Sequence, residues 1–419
     1  MNPVSTEKNE RIILETLRIA NSALKLKNLK LNSLLEITNA INNNFSKDQL
    51  LKIFEFVLRS QLGITRLLFI NRDERWQYTM RFGLLQDMPL PDVEKDLSQI
   101  RQVLEVKGGD GPLFGQFEVL IPVVHKSTPL AYLLLGGVKA EAMEGSTSHH
   151  VPFVQTLANI ITVAIENKRL AKENIRQAQV KKEMELASEM QSMLFPSRLP
   201  KDKHMEIAAY YQPHQQVGGD YYDFVKLSEN EVGFCMADVS GKGVSAALLM
   251  SNFQANLRAL FKSQTTLTDL VQELNSKVID NAMGEKFITL FVARYNLVTR
   301  VLSYVNAGQN PPVLLSGNTT TALHTGCLGL GMLDDIPSVR EGVVIIEPGA
   351  VLLCYTDGVT ELENARGKEF GLNKLELLLL QNHELDSQGI NNAIVDQLKQ
   401  HKGQMPYVDD IALLCVKLF

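Results

Sequence analysis

Four aspartates in the second half of the chain share one sequence context that could support metal chemistry. Each lies at the end of an apolar, strand-like run or at its start, next to glycine or another acid: Asp220, Asp238, Asp357 and Asp409, the last followed by Asp410. Turns at strand ends let carboxylates project from the edge of a sheet, so we expect these side chains to meet. Clustered carboxylate oxygens are hard ligands that suit Mg²⁺ or Mn²⁺ rather than Zn²⁺. The pattern therefore predicts a divalent-cation site.

Each of these signals is weak when it is taken alone. Asp357-Gly358 is typical of an ordinary turn, and Asp409-Asp410 of a solvated pair. Gly241-Lys242-Gly243 lacks the spacing of a phosphate-binding loop. Their combination between residues 220 and 410 is what favours a shared site. Two unpaired carboxylates about 4 Å apart repel by roughly 4 kcal/mol at an effective dielectric constant near 20, and divalent cations remove that cost.

The order of the motifs gives a resemblance to a known family. The motifs are Val217–Asp223 (VGGDYYD), Ala237–Gly243 (ADVSGKG), Asn306–Pro312 (NAGQNPP), Tyr355–Glu361 (YTDGVTE) and Asp409-Asp410. Together they resemble the PPM family of metal-dependent phosphatases and, within it, the bacterial RsbU/SpoIIE branch. The resemblance covers about residues 184–419, and Ala187–Pro196 is similar to the helix that leads into the catalytic domain of that branch.

This resemblance implies a hydrolase that uses two metal ions, Mn²⁺ or Mg²⁺. Asp238 would bridge both ions, and the Val239 carbonyl would add a ligand to one of them. Asp357 and Asp409 would hold the other ion, while Asp220 would act through metal-bound water. A hydroxide shared by the ions would attack phosphorus in line while the ions neutralise the phosphoryl oxygens. Asp238, Asp220 and Asp357 would then be the catalytic carboxylates.

Three further positions near these motifs are candidates for substrate or loop roles. Gln309 stands where the family usually has histidine, which would either help a leaving group or orient the loop; we favour the loop role. Lys242 is the nearest candidate for binding phosphate in a branch that lacks the arginine of eukaryotic members, with a solvated loop lysine as the alternative. Asp410 is the second acid of its pair.

Composition restricts the other classes of protein. The 419 residues carry a formal net charge of -5, which gives no general attraction to nucleic acid or to anionic membranes. We see no signal peptide, and the most apolar long stretch, Val151–Ile165, is too short and too polar to span a bilayer. The four cysteines lie singly without CxxC spacing, as expected in a reducing compartment. We therefore predict a cytoplasmic protein that binds neither nucleic acid nor membrane.

The chain is predicted to contain a helix over residues 1–29, a domain over 30–165, a helical linker over 166–195 and a phosphatase domain over 196–419. In the first half, the patterns indicate helices at 7–45 and at Ser46–Leu62, with Ser46 as N-cap, and another over Val93–Val106. Strands are predicted at Arg66–Ile70, Trp76–Phe82, Phe117–Val124 and Leu130–Val138. An antiparallel sheet flanked by helices makes this an α+β domain.

Beyond Pro200 the pattern predicts a β-sandwich covered by helices, an αββα arrangement. Predicted strands are Glu206–Gln212, Asp223–Leu227, Val232–Val239, a hairpin of Phe287–Tyr295 with Val301–Asn306, Val343–Ile346, Val351–Tyr355 and Ile411–Leu418. Predicted helices are Val244–Phe261, Leu267–Ala282, Leu372–Gln381 and Ser387–Gln400.

Residues 30–165 resemble a GAF domain in the order of their elements. No cysteine precedes Cys235, which excludes a cysteine-linked bilin or iron–sulfur cluster there, and His125 is more typical of a structural histidine than of a haem ligand. The domain would either bind a small-molecule or protein signal or serve only for dimerisation. In the linker, two apolar stripes at 3.5-residue average spacing, from Ile161 and from Val180, fall out of phase near Gln179. A solvated helix and a short parallel coiled coil both fit, and we expect a homodimer.

The resemblance implies hydrolysis of phosphoserine or phosphothreonine on a protein, regulated by the N-terminal domain. The implied substrate is a STAS-domain anti-sigma-factor antagonist or a similar partner-switching protein. Two alternatives stay open: a catalytically inactive docking module of the same fold, which the complete acid set disfavours, and a two-metal hydrolase of small phosphate esters.

Overall fold

The computed structural model describes residues 3–73, 75–85, 90–106, 115–125, 128–138, 150–282 and 285–419, with side chains from residue 11 onward. The chain divides into two compact units, Met1–Gln177 and Ala178–Phe419. This division falls inside the predicted linker, 166–195, while the other predicted domain boundaries stay predictions. Within the described ranges, no helix is both long and apolar enough to cross a membrane.

The N-terminal unit is built on one antiparallel sheet with strand order β2-β1-β5-β4-β3. Its elements are α1 (Pro3–Asn42), α2 (Lys47–Phe56), a π-helical turn (Val57–Gln61), β1 (Ile64–Arg72), β2 (Trp76–Phe82), a second π-helical turn (Val93–Leu97), β3 (Leu104–Glu105), β4 (Val119–His125), β5 (Thr128–Val138) and α3 (Val151–Ser192), which continues into the other unit. One face of the sheet packs on α2 and on the first turns of α3, where Phe69 meets Phe54 and Leu157.

Local signals explain most of these boundaries. Ser46 caps α2 as predicted: its hydroxyl accepts from the Gln49 backbone N–H at 3.3 Å, and the Gln49 side chain accepts from the Ser46 N–H at 2.8 Å. The helix predicted over Val93–Val106 is wrong beyond Leu97. Leu104 and Glu105 instead pair with β4, because a free sheet edge offers their backbone hydrogen bonds that a short amphipathic pattern cannot outweigh.

The C-terminal unit is a sandwich of two sheets with helices on both outer faces. Its elements are β6 (Met205–Gln212), β7 (Tyr221–Lys226), β8 (Glu231–Val239), α4 (Val244–Leu260), α5 (Leu267–Ala282), β9 (Ile288–Asn296), β10 (Val301–Ala307), β11 (Val313–Ser316), β12 (Thr319–Ala322), β13 (Gly326–Cys327), β14 (Gly342–Ile345), β15 (Ala350–Tyr355), α6 (Asp357–Thr360), α7 (Leu372–Asn382), α8 (Ser387–Lys402) and β16 (Ile411–Leu418). The predicted αββα fold and the β9–β10 hairpin are confirmed.

Several strands are apolar on both faces, so each sheet packs against the other sheet on one side and against helices on the other. One sheet runs β13-β10-β9-β8-β7 with β14 also on β10, and the other runs β12-β11-β15-β16-β6. Phe234, Phe291 and Leu352 fill the space between the sheets. Helices α4 and α5 cover the first sheet, and α7 and α8 cover the second. Because both faces of β8 and β16 are buried, their sequences read as continuous apolar runs that end at the acidic motifs.

A buried ion pair joins the first sheet to its covering helix. Asp223 on β7 is fully buried and receives two hydrogen bonds from the Arg258 guanidinium of α4, at 2.7 and 2.9 Å. The Tyr221 hydroxyl donates to the same carboxylate at 2.6 Å. The pairing satisfies a charge that would otherwise be costly to bury, and it sets β7 against α4 close to Asp220.

We therefore expect Arg258→Gln to destabilise the protein markedly, since it leaves the Asp223 carboxylate buried without a counter-charge. The expected loss is about 2–3 kcal/mol, or roughly 5–10 °C in the melting temperature of the full chain. Lys399→Gln is the matched control, because Lys399 pairs with Asp396 on the exposed face of α8 and should cost under about 0.5 kcal/mol. Equal melting temperatures for the two variants would contradict this role of Arg258.

Candidate metal centre

The predicted acidic residues meet at one edge of the sandwich. Asp220 directly precedes β7, Asp238 is the penultimate residue of β8, Asp357 opens α6 after β15, and Asp409 lies two residues before β16. Thr356, next to Asp357, donates to Asp220 at 2.8 Å, and a Cβ on Gly358 would lie 3.2 Å from the Cβ of Asp409. A Cβ on Gly219 would lie 2.8 Å from the carbonyl oxygen of Val239, next to Asp238, so the four segments lie close together. The edge is therefore assembled from strands of both sheets.

Gly358 is what lets two of these segments approach. A Cβ on Gly358 would lie 2.0 Å from the carbonyl oxygen of Asp410 and 3.2 Å from the Cβ of Asp409. Any side chain at position 358 would push α6 away from the start of β16. The Asp-Gly pair that is typical of a turn in sequence thus permits the contact between Asp357 and Asp409.

The ionisation of the cluster shows the cost of bringing these acids together. Burial, reinforced by the charges of Asp238 and Asp410, raises the pKa of Asp220 well above its ordinary value. Burial raises the pKa of Asp238 to about 7, with the charge of Asp357 as the next cause. Burial and the charge of Asp409 also raise the pKa of Asp357. Positive charge supplied to this edge would relieve all three shifts.

The donor set fits Mg²⁺ or Mn²⁺. It consists of oxygen atoms, and the Val239 carbonyl lies beside it, since a Cβ on Gly219, next to Asp220, would lie 2.8 Å from that oxygen. The Tyr211 hydroxyl beside the cluster is buried without a hydrogen-bond partner. Among the described residues, no three His, Cys, Asp or Glu side chains already form a group that could hold a cation. Asp409 instead pairs with Lys242, whose ammonium nitrogen is 2.7 Å from its carboxylate.

Asp410 holds the loop that carries Asp220. One of its oxygens accepts from the Gly219 N–H at 2.7 Å, and the other accepts from the His214 N–H at 2.7 Å. A Cβ on Gly218 would lie only 2.2 Å from the same carboxylate, so the loop needs glycine there. Of the two acids in the pair, the second is thus positioned as a backbone-binding group.

Two positioning side chains were missed by the sequence analysis. Thr356 is fully buried; its hydroxyl donates to Asp220 at 2.8 Å and accepts from the Ala412 N–H at 3.0 Å. Gln191, in the last turn of α3, exchanges two hydrogen bonds with the backbone of Gly218, at 2.7 and 3.1 Å. The available signal for Gln191 was a lone amide at a position of the second apolar stripe. Because its amide is hydrogen-bonded to Gly218, the Gln191 side chain is not available to contact a partner helix.

Gln309 and Lys242 both bind backbone. The Gln309 side chain is buried, accepts from the Thr289 hydroxyl and donates to the Tyr355 carbonyl at 3.3 Å, so it connects the two sheets behind Asp238 and Asp357. Lys242 donates to the Val408 carbonyl at 2.6 Å while it pairs with Asp409. In the other unit, His125 ends β4 and is exposed.

Comparisons with known proteins agree with this geometry. The family described as Stage II sporulation protein E (SpoIIE) matches residues 228–419. Phosphoserine phosphatase RsbU of Bacillus subtilis is 33% identical over 193 residues, covering 46% of this chain and 57% of that protein. Phosphoserine phosphatase RsbP of the same organism is 28% identical over 191 residues, covering 43% of this chain and 46% of that protein. The SiaA-PP2C domain of Pseudomonas aeruginosa shares the fold, with a TM-score of 0.53 at 20% identity over 58% of this chain and 99% of that domain.

A helix-covered β-sandwich with carboxylates at one sheet edge defines the PP2C class of domain. Within it, the C-terminal unit is similar to the PPM-type RsbU/SpoIIE branch. The chain spans about half the length of the curated relatives described above. The likeness of residues 30–165 to a GAF domain stays a prediction.

The raised pKa of Asp238 should make the stability of the metal-free protein depend on pH. The folded state keeps this proton up to a pKa of about 7, and the unfolded chain only up to about 4. The free energy of unfolding therefore falls as the pH rises between those values. We expect the melting temperature of the full chain in EDTA to fall between about pH 4 and pH 7, and to fall less in Asp238→Asn.

Scanning calorimetry at several pH values measures this difference. Glu229→Gln, which removes an exposed loop carboxylate, should leave the wild-type pH dependence unchanged. Superimposable curves for Asp238→Asn and the wild type would show that the carboxylate is not held at a repulsive site.

Proposed function

We propose that the C-terminal unit is a metal-dependent protein serine/threonine phosphatase. The observation that carries the proposal is the convergence of Asp220, Asp238, Asp357 and Asp409 at one edge, where burial and neighbouring carboxylates raise the pKa values of the first three. An inactive docking module would have no need to keep so costly a cluster. The named relatives RsbU and RsbP, both phosphoserine phosphatases, support the same activity.

In this proposal the chain supplies the ligands and keeps them aligned. Asp238, the Val239 carbonyl, Asp357, Asp409 and, through water, Asp220 would hold two Mn²⁺ or Mg²⁺ ions. The ions would supply charge neutralisation at the phosphoryl oxygens and a nucleophile derived from water.

The surrounding residues would orient these ligands and the substrate. Thr356 fixes the rotamer of Asp220, and Asp410 fixes the loop before it. Lys242 neutralises Asp409, and its half-exposed ammonium group would face phosphate once Asp409 binds a cation. A phosphate group placed there would be held between positive charges supplied by the protein and by the ions.

For the substrate, we propose a phosphoserine or phosphothreonine on a partner-switching protein of the STAS type, acted on in the cytoplasm. The proposal is supported by the similarity of the unit to the RsbU/SpoIIE branch. A small phosphate ester is the competing substrate class, because the ligand set alone does not distinguish the two. Relative kcat/KM for a phosphorylated STAS domain and for p-nitrophenyl phosphate decides between them.

Activity should require both the cations and the carboxylates. With Mn²⁺ the full chain should hydrolyse p-nitrophenyl phosphate, and EDTA should abolish the reaction. Asp238→Asn and Asp357→Asn should each lower kcat/KM by at least about a hundredfold, because each removes a ligand from a charged site. Glu229→Gln serves as control. Hydrolysis that resists EDTA, or a near-normal Asp238→Asn variant, would refute the mechanism.

We further propose that the N-terminal unit, as a GAF-like sensor or dimerisation domain, regulates the phosphatase through α3. The support is the Gln191 side chain, which joins the last turn of that helix to the loop before Asp220. A shift of this turn would move the loop that precedes Asp220, one of the proposed metal ligands.

Removal of the Gln191 amide should weaken cation binding without destroying the site. Two hydrogen bonds contribute about 1–3 kcal/mol together, so Gln191→Ala should raise the Mn²⁺ concentration for half-maximal activity by about tenfold, with kcat at saturating Mn²⁺ nearly unchanged. Gln179→Ala, an exposed amide on the same helix, is the matched control. Identical Mn²⁺ titrations of the two variants would rule out this coupling.

A further inference from the structure

Helix α1 has two different faces. The second half of the inner face packs on its own domain: Ile37 is buried in the core, and the Ser33 hydroxyl donates to the Gln61 side chain. Ile12 and Ile19, on the first half of that face, are exposed. The outer face carries leucines that the described part of the chain leaves uncovered. Five of them, between 54% and 63% exposed, are Leu14, Leu17, Leu24, Leu31 and Leu35. Complete burial of leucine side chains is strongly stabilising, so this face leaves a large stabilisation unused.

The uncovered leucines follow a heptad pattern. Steps of three and four residues alternate along the outer face through Leu14, Leu17, Asn21, Leu24, Asn28, Leu31, Leu35 and Thr38. In heptad notation, Leu14, Asn21, Asn28 and Leu35 occupy position a, and Leu17, Leu24, Leu31 and Thr38 occupy position d. The stripe runs for about 36 Å at 1.5 Å per residue. Its natural complement is another helix with the same spacing.

We propose that α1 pairs with α1 of a second copy of this chain as a parallel, in-register, two-stranded coiled coil. The two asparagines carry the argument for the partner. In that arrangement Asn21 faces Asn21 of the other copy, and Asn28 faces Asn28, so each buried amide meets another amide. Asparagine at position a with leucine at position d is the combination that specifies register and a dimeric state.

The other arrangements leave polar groups unsatisfied. In an antiparallel pair, position a faces position d, so each asparagine would be buried against leucine. A membrane surface would likewise bury both amides in hydrocarbon without partners. Both alternatives conflict with two asparagines in the middle of the stripe.

The charged residues that flank the leucine stripe also favour a parallel pair. Arg18 and Lys25 occupy position e, and Ile13, Ala20 and Lys27 occupy position g. In a parallel pair each g residue approaches the e residue five positions later on the partner, which places Arg18 beside isoleucine and Lys25 beside alanine. An antiparallel pair would bring the basic e positions of both helices together. Like charges in that position oppose pairing.

Cysteine cross-linking tests register and orientation directly in the full chain. Asn21→Cys at position a should form an inter-chain disulfide under mild oxidation, because equivalent a positions lie within disulfide reach of each other. Ile19→Cys is the matched control, since Ile19 is equally exposed but lies at position f, on the outside of the pair. The native cysteines provide the baseline, with Cys235, Cys354 and Cys415 buried and Cys327 half-buried.

We expect Asn21→Cys to cross-link at least about tenfold faster than Ile19→Cys, and the wild-type chain to form no covalent dimer. In light scattering, the wild type should have the mass of two chains. Leu17→Glu/Leu24→Glu/Leu31→Glu should weaken the dimer by at least about tenfold, while Ile12→Glu/Ile19→Glu should not. Far-ultraviolet circular dichroism checks that both variants remain folded.

The proposal is overturned by equal cross-linking rates at positions 19 and 21, by a monomeric wild type at about 50 μM, or by a triple variant that dimerises as tightly as the wild type. Co-sedimentation of the wild type with phosphatidylglycerol vesicles, without cross-linking at position 21, would assign the stripe to a membrane surface instead.

Discussion

Mutual repulsion among buried and half-buried carboxylates is the constraint on which the phosphatase unit depends. Each pair held about 4 Å apart costs roughly 4 kcal/mol at an effective dielectric constant near 20, whereas a whole domain is stable by only about 5–15 kcal/mol. The site can exist only if the rest of the unit supplies enough packing to bear that cost. A sandwich with apolar side chains between its sheets and under both helical layers does so. The acids then occur where the apolar runs stop.

The restraint at this edge comes mainly from groups that bind backbone. Gly358 allows α6 to approach β16, and Asp410 fixes the Gly218–Gly219 loop through a peptide N–H. Thr356 joins Asp220 to the other sheet with one hydroxyl group. Backbone contacts of this kind keep the carboxylates aligned.

The sequence was informative where the physical signal is local. Apolar runs bounded by aspartate located β8, β15, β16 and the acids beside them, and Ser46 with Gln49 located the start of α2. Strands β11, β12 and β13 were missed because they are short, and β12 (TTTA) has no apolar alternation. The contacts of Thr356 and Gln191 could not be predicted from the sequence for another reason. They join residues 136 and 27 positions apart, and nothing in a local pattern reports such a pairing.

Regulation through Gln191 would suit the energies involved better than regulation through the ligands. Removal of a carboxylate ligand abolishes a site, whereas loss of an amide that holds a loop changes the free energy of cation binding by only about 1–3 kcal/mol. That range corresponds to roughly a five- to hundredfold change in cation affinity. A shift in the last turn of a helix can supply it, because the turn needs only to move the amide out of hydrogen-bonding distance. The same amide lies at the end of α3, whose first half belongs to the N-terminal unit. A change in how α3 packs against another helix would therefore move Gly218 before it moved any carboxylate.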